Sequence, residues 1–444
     1  MAFVTILNRV RYYVIIMAKF QSLKGFRDFY PEEMAARRKV VDTIYEVVRR
    51  YGFREVDTPS VESIELFRVK SGEEIVQQTF SFRDKAEREI TLIPELTPTV
   101  ARMVVERAKT LRRPIKWFSM PKMWRYEEPQ SGRLREFYQL NVDIYGVTGA
   151  EADAEVLAAG IDLMLKLGLV GEFVFKISDR RLMQGALEGL GIMDPGPVFA
   201  AIDKRWKVTA GEFKKLLYDA GLDDLQAGEL IGILDSRGPI VEALPQLKSK
   251  LAKNDLTLAG IQGLERLAGL MEMYGMAGYC ELDPSVIRGL AYYTGIVFEC
   301  YDTRGELRAI FGGGRYDRIV GLFGGEEMPA VGFGMGDAVL EILMRRAGVW
   351  PQEAINTDYY ILATKPEFRE TEIFLAQSLR EKGCVVEFDL QGRNFSNQMK
   401  YANSIGAKTV LILGEREMAE GKVTVKDMSS GEQKTVEVRE LLEA

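Results

Sequence analysis

The chain has 444 residues, 28% of them charged, with a formal net charge of −6 and no histidine at all. That length exceeds one core, so two or three domains are expected. A mildly acidic chain offers no overall basic field for nucleic acid, and any such contact must use local patches.

Without imidazole there is no Ser–His or Cys–His nucleophile pair and no histidine metal ligand. Cys280, Cys300 and Cys384 form no CxxC pair. This argues against a zinc site and a disulfide framework, and fits a reducing cytoplasm.

Residues 1–16 carry apolar runs broken by Asn8, Arg9 and Arg11, too short for a membrane span, and no small-residue cleavage site follows. They are expected to be an extension outside the fold, which starts at Met17 with MAKFQSLKGFRDFYPEEM. From 31 to 51 the spacing of Val40, Val41, Ile44, Val47 and Val48 predicts a helix stopped by Gly52. FREVDTPSVES predicts a short strand ending at Pro59. QQTFSFRD and REITLIPELTPTVARMVVERA predict a strand pair feeding a helix.

IKWFSMPKMWRYEEPQSGRLREFYQLNVDIYG predicts two long antiparallel strands around a polar loop at 128–133. A helix then starts near Glu151, with Leu157, Ile161, Met164 and Leu165 on one face, and closes at Gly168. Between 179 and 281 strand signals vanish and helical periodicity predicts a mostly helical insertion between strands of one sheet. FGGGRYDRIVGLFGG and MPAVGFGMGDAVLEILMRRAG resume the sheet and end in a helix. The core is thus expected at 17–178 and 282–348, an α+β fold with an antiparallel sheet. VWPQEAINT reads as a linker. Beyond it, 355–444 alternate strand and helix as an independent α/β domain with a mainly parallel sheet.

WRYEEPQSGRLREFYQL places Arg125 and Glu127 two apart on one strand face, with Arg133 and Arg135 following. Guanidinium forks at this density suit a nucleoside triphosphate. The same pattern also fits a solvated, salt-bridged hairpin. The glycine-rich FGGGRYD and VGFGMGDAV have neither phosphate-loop nor dinucleotide spacing, and glycines so placed mark bulges or close backbone packing. In PELTP, Glu95 and Thr97 end a strand, or else cap the next helix. Asp143 is a carboxylate in an apolar strand and needs a partner or a ligand. Gln139, four residues earlier, shares its face. VIRGLAYYTGIVFE sets Arg288, Tyr292 and Tyr293 at the lip of a strand, where the phenols are pocket walls or core aromatics.

Taken together, these segments resemble the class II aminoacyl-tRNA synthetases. WRYE…REFYQL resembles their motif 2, and Pro59 falls at the motif 1 proline. RGLAYYTG followed by GGGRYD resembles the two signature peptides of the histidyl-tRNA synthetases, and VEFDLQGRNFSNQMKYANSIGAKTVLILG is similar to their anticodon-binding domain. The resemblance runs from about residue 20 onward and is archaeal-like. It implies an antiparallel class II sheet with flanking helices and a helical insertion, plus a C-terminal α/β anticodon-binding domain.

It also implies histidine activation with ATP, transfer to the 3′ end of tRNA(His), Mg²⁺ on the phosphates with no metal ligands from the protein, and a homodimer away from any membrane. Residue by residue, the resemblance puts Arg125 on the α-phosphate and the amino acid carboxylate, and Arg288 on the charge developing in the transition state. Glu95 and Thr97 would hold the α-amino group, and Gln139 would lie near the carboxylate. Asp143, Tyr292, Tyr293 and Tyr316 would surround the imidazole. Glu127, Arg133 and Arg315 would join Arg125 on ATP.

The third motif usually ends Gly-φ-Glu-Arg. Here Asp337, Ala338 and Val339 stand in its place, so either Arg315, Arg133 or another cation compensates at the nucleotide, or the activation step is impaired. The zero histidine count gains a reason: a chain that charges tRNA with histidine and contains none does not depend on its own product. A non-charging paralogue, such as the synthetase-like regulatory subunit of histidine biosynthesis, and a nucleic-acid-binding accessory protein would use the same folds. Intact Arg125, Glu127 and Arg288, with the C-terminal domain, favour the synthetase.

Overall fold

The computed structural model describes residues 20–251, 253–287, 292–352 and 357–443, apart from the side chains of 70–74 and 206. The expected extension at 1–16 lies outside the described residues, as does Arg288. Among the described residues packing separates two compact units, 20–28 with 40–350, and 29–39 with those beyond 350.

The first unit is built on a ten-stranded sheet. Its central strand, Glu136–Tyr145, is flanked antiparallel by Ile115–Ser119 and Ala330–Gly336. Phe311–Arg315, Ile296–Asp302 and Phe173–Asp179 continue the antiparallel run. This run is the expected antiparallel sheet, and the two ends add parallel pairs to it. Arg54–Glu55 lies parallel to Ile115–Ser119, and Cys280–Leu282 lies parallel to Phe173–Asp179. The sheet is mixed. Cys280–Leu282, with Gly238–Pro239 beside it, also adds strand within the stretch expected to be mostly helical, in pieces too short to show a period.

The expected pair of long strands is corrected too. The first arm is two pieces, Ile115–Ser119 and Lys122–Trp124, interrupted at Met120 and Pro121. Proline has no N–H for the ladder; the Pro121 carbonyl accepts from the Gln139 N–H at 3.2 Å. Arg125 and Glu127 therefore follow the strand instead of sharing its face.

Alternation sorts the side chains of the central strand. Leu140, Val142 and Ile144 are buried in one cluster with Val331, Phe333 and Met335 of the neighbouring strand, against the helix Ala150–Lys166. Each such burial contributes roughly 1.5–3 kcal/mol. Gln139, Asn141 and Asp143 face the other way, paired with Gly336, Gly334 and Gly332. The helix buries Leu157, Ile161 and Met164 as expected, and ends where Gly168 takes φ +82°.

The stretch read as an insertion folds into helices running from Arg180–Gly189 to Asp255–Met273. Three of these start on reciprocal capping boxes, Thr209 with Glu212, Asp223 with Gln226, and Asn254 with Thr257. Its Leu182, Leu264 and Leu267 join Phe175 and Phe298 of the sheet in one cluster, so insertion and core share their interior.

The second unit carries a five-stranded sheet, ordered Val386–Phe388, Tyr359–Ala363, Thr409–Leu413, Lys422–Asp427 and Gln433–Glu437. The first three strands are parallel, but the last two add antiparallel, which corrects the mainly parallel expectation. Ile361 packs with Leu375 and Leu379 of the helix Arg369–Glu381, while Tyr360 and Leu362 pack with Ala402 of the helix Phe395–Ser404. Among the described residues no helix is long and apolar enough to cross a membrane.

Candidate active site

The glycines opposite Asn141 and Asp143 decide the shape of the site. A Cβ on Gly332 would lie 2.2 Å from Asp143 Oδ1, and one on Gly334 1.9 Å from Gln139 Nε2. Bare backbone here leaves room for the polar side chains of the central strand to stand over an open floor.

Two compartments open above it. The smaller, about 110 Å³, is lined by Glu95, Thr97, Asp143, Tyr292, Tyr293 and Tyr316. The larger, about 270 Å³, is lined by Glu127, Gly132, Arg133, Ala338 and Val339 among others. Arg125, Gln139, Gly312 and Gly334 line both.

Arg125 thus stands at the junction. Its Nε donates to the Pro94 carbonyl at 2.9 Å, and its guanidinium lies 5.3 Å from the centre of the Phe137 ring. Burial lowers its pKa, with the Glu95 carboxylate and Tyr292 acting in the opposite direction. An arginine nonetheless remains a cation at any working pH.

In the smaller compartment the Tyr316 hydroxyl donates to Asp143 Oδ1. Tyr292 meets the Tyr316 ring edge-on at 5.7 Å and lies 4.7 Å from Tyr293. Burial pushes the Tyr316 phenol well above its ordinary pKa, reinforced by Asp143. Burial does the same to Tyr292, reinforced by Tyr293 and Glu95. Both remain neutral donors. Glu95 and Asp143 are themselves buried, at 7% and 6% exposure. Thr97 is the first residue of the helix Thr97–Arg107, whose cap position is Leu96 with no side-chain bond, so capping does not account for Thr97. The compartment sets the carboxylates of Glu95 and Asp143 and the phenols of Tyr292, Tyr293 and Tyr316 around a small volume, with Arg125 at its mouth. That chemistry suits a small zwitterion carrying a further N–H.

In the larger compartment Arg133 is paired through both Nε and NH2 with the Glu127 carboxylate. Arg135 donates to the Glu127 carbonyl at 2.9 Å and lies 4.6 Å from the centre of the Tyr126 ring. It holds the loop instead of facing the cavity. The Gly25 carbonyl accepts the Arg135 backbone N–H at 2.9 Å, and Arg27 pairs with Asp337 at 2.7 Å. Sequence reasoning missed this brace because its partners lie far apart in the chain. It also missed Asn141, although the alternation through Gln139 and Asp143 pointed at it.

Arg315 is the main correction. It lies opposite Val331 on the helix side of the sheet, not on the glycine floor. Its guanidinium bonds the fully buried Asp153 through Nε at 3.2 Å, Asp317 at 3.3 Å, and the carbonyls of Val147 at 2.8 Å and Gly149 at 2.9 Å. The pleat turns it away from the phosphates it was expected to hold.

Residues 25–337 match the family model described as histidyl-tRNA synthetase, and 358–444 the one described as anticodon binding domain. The chain belongs to the histidyl-tRNA synthetase family. Similar relatives include proteins named histidine–tRNA ligase from Natronomonas pharaonis, 46% identical over 94% of this chain and 96% of that one, and from Thermoplasma volcanium, 40% identical over 96% and 98%. Among solved structures, a histidyl-tRNA synthetase from Nostoc sp. aligns with a TM-score of 0.81 at 26% identity, over 96% of this chain and 98% of that one. Seen as a histidyl-tRNA synthetase, the chain brings together every expected amino-acid-site residue, while the first signature peptide holds Arg288 outside the described residues.

Proposed function

We propose that the chain is a histidine–tRNA ligase. The carboxylate of histidine attacks the α-phosphorus of ATP, pyrophosphate leaves, and the resulting histidyl-adenylate passes its acyl group to the 3′-terminal ribose of tRNA(His) as AMP departs. The observation that carries this reading is the small compartment itself. Buried Asp143, oriented by Tyr316, stands at one place, and Glu95 with Arg125 stands at another.

Asp143 accepts the imidazole N–H among the rings of Tyr292, Tyr293 and Tyr316. Glu95 and Thr97 take the ammonium, with Gln139 beside the carboxylate. Arg125, at the junction of the two compartments, meets the carboxylate and the α-phosphate together. Arg288 stabilises the charge that grows on that phosphate. This is catalysis by positioning and preorganised charge, and it needs no imidazole from the protein. Glu127 and Arg133 serve the nucleotide end. Mg²⁺ enters with the polyphosphate as part of the substrate, keeping most of its waters, and Glu127 is the carboxylate lining that compartment. The second unit reads the tRNA anticodon, and the enzyme works in the cytoplasm as a homodimer.

Histidine-dependent ATP–pyrophosphate exchange, followed by charging of tRNA(His), tests the reading. Exchange that did not require histidine, or required another amino acid, would overturn it.

A further inference from the structure

On the function proposed above, the larger compartment must grip three phosphates, with Arg125 at its junction, yet Arg133 and Arg315, expected to supply the missing cation, are each already paired. Arg133 is held by Glu127, and Arg315 lies on the opposite face of the sheet. Position 339, where the third motif carries arginine, holds a buried valine. It packs so closely under the loop that a Cβ on Gly132 would lie 2.9 Å from Val339 Cγ2.

Another guanidinium lines the same compartment. Arg308 lies in the turn between Ile296–Asp302 and Phe311–Arg315, on the rim shared with a groove of about 1200 Å³. It is exposed, and among the described residues no carboxylate, carbonyl or ring engages its side chain.

The turn that carries Arg308 is firmly built. Asp302, only 2% exposed, accepts the backbone N–H of Leu307 at 2.9 Å and of Glu306 at 3.2 Å. Arg346 pairs with Asp302 at 2.9 Å and with Glu306 at 3.2 Å. Arg346 ends the helix Asp337–Arg346, whose first turn contains Val339. The helix that lacks the motif arginine at its start therefore fixes, from its end, the turn that presents another one.

We propose that Arg308 binds the outer phosphates of ATP in place of the arginine absent at position 339, with Asp302 and Arg346 as positioning residues. A planar fork without a competing carboxylate suits a phosphate bidentately.

Calorimetric titration of the full chain with MgATP, and separately with AMP, in the absence of histidine, tests this directly. Arg308→Ala is expected to weaken MgATP roughly 10- to 100-fold, the range for a hydrogen bond to a charged group. Arg308→Lys, which keeps the charge and loses the fork, should fall between parent and Arg308→Ala. AMP affinity and melting temperature should be unchanged, because AMP lacks the outer phosphates and the side chain is exposed. MgATP affinity of Arg308→Ala within about twofold of the parent would overturn the assignment, as would an equal loss for AMP. Histidine-dependent exchange by the parent protein judges the proposed function separately. Its failure would sink that reading while the titrations still decide for or against Arg308.

Discussion

Replacing Arg315 with methionine separates a structural cation from a nucleotide-binding one. Arg315 is 6% exposed and Asp153 is 0% exposed, so the substitution leaves a carboxylate in the interior without its partner. Removing one member of a buried pair costs about 3–5 kcal/mol. For a unit of this size that corresponds to a melting temperature lower by about 4–7 °C.

The loss should depend on pH. Burial already raises the pKa of Asp153 against the pull of Arg315, and without the guanidinium it rises further. The folded variant then binds a proton that the unfolded chain releases, so stability falls as pH rises from the unfolded value through the folded one. The deficit should therefore be larger at pH 8 than at pH 5. Scanning calorimetry at the two pH values, with the ATP KM for pyrophosphate exchange measured below the transition, is the assay. Adding Asp153→Leu should restore much of the stability, since a well-packed apolar pair replaces a buried ion pair at little cost. An unchanged melting temperature together with an ATP KM raised about tenfold would refute the reasoning and return Arg315 to the nucleotide.

The other expectations can be put briefly. Asp143→Asn should weaken histidine binding roughly 10- to 100-fold while leaving the ATP KM in place; calorimetry with histidine checks it, and equal loss for ATP would contradict the division into two compartments. Gly334→Ala should displace the amide end of the Gln139 side chain with little loss of stability but slower single-turnover adenylation, whereas normal rates would mean that the floor can yield. Burial outweighs Arg369, 2.6 Å away, and pushes the Glu372 carboxyl up to about 7, so its ionisation opposes folding as pH rises from the unfolded value toward neutrality. Glu372→Gln should accordingly stabilise the second unit by on the order of 3 kcal/mol at pH 8 and hardly at all at pH 4.5, a contrast that chemical unfolding followed by near-UV circular dichroism would reveal or exclude.

Several of these features were legible in the sequence for physical reasons. The helices Pro31–Arg50 and Ala150–Lys166 follow from apolar spacing and from glycines that take positive φ just past their ends. Asp143 announced itself because an ionised group inside an apolar strand demands a partner, and the Tyr316 hydroxyl is one. Arg315 was misplaced because a glycine-rich strand hides its own alternation. With no side chains at 312 to 314, the local sequence does not say which face the next residue takes. The strand Arg54–Glu55 was expected, but Cys280–Leu282 is shorter than any detectable period, and whether either runs parallel depends on connections through distant segments. The pairing of Arg27 with Asp337 likewise spans 310 positions and exists only once the chain has folded.

The two faces of Glu136–Tyr145 also bear on accuracy. Sliding that strand by one residue against Ala330–Gly336 would push Leu140, Val142 and Ile144 into the cavity and drive Gln139, Asn141 and Asp143 beneath the helix. Such a chain would forfeit its interior and its specificity in one step. A mispaired molecule is thus removed as an unfolded protein before it can persist as a compact but careless catalyst, and quality control of folding doubles as a guard on the meaning of a codon.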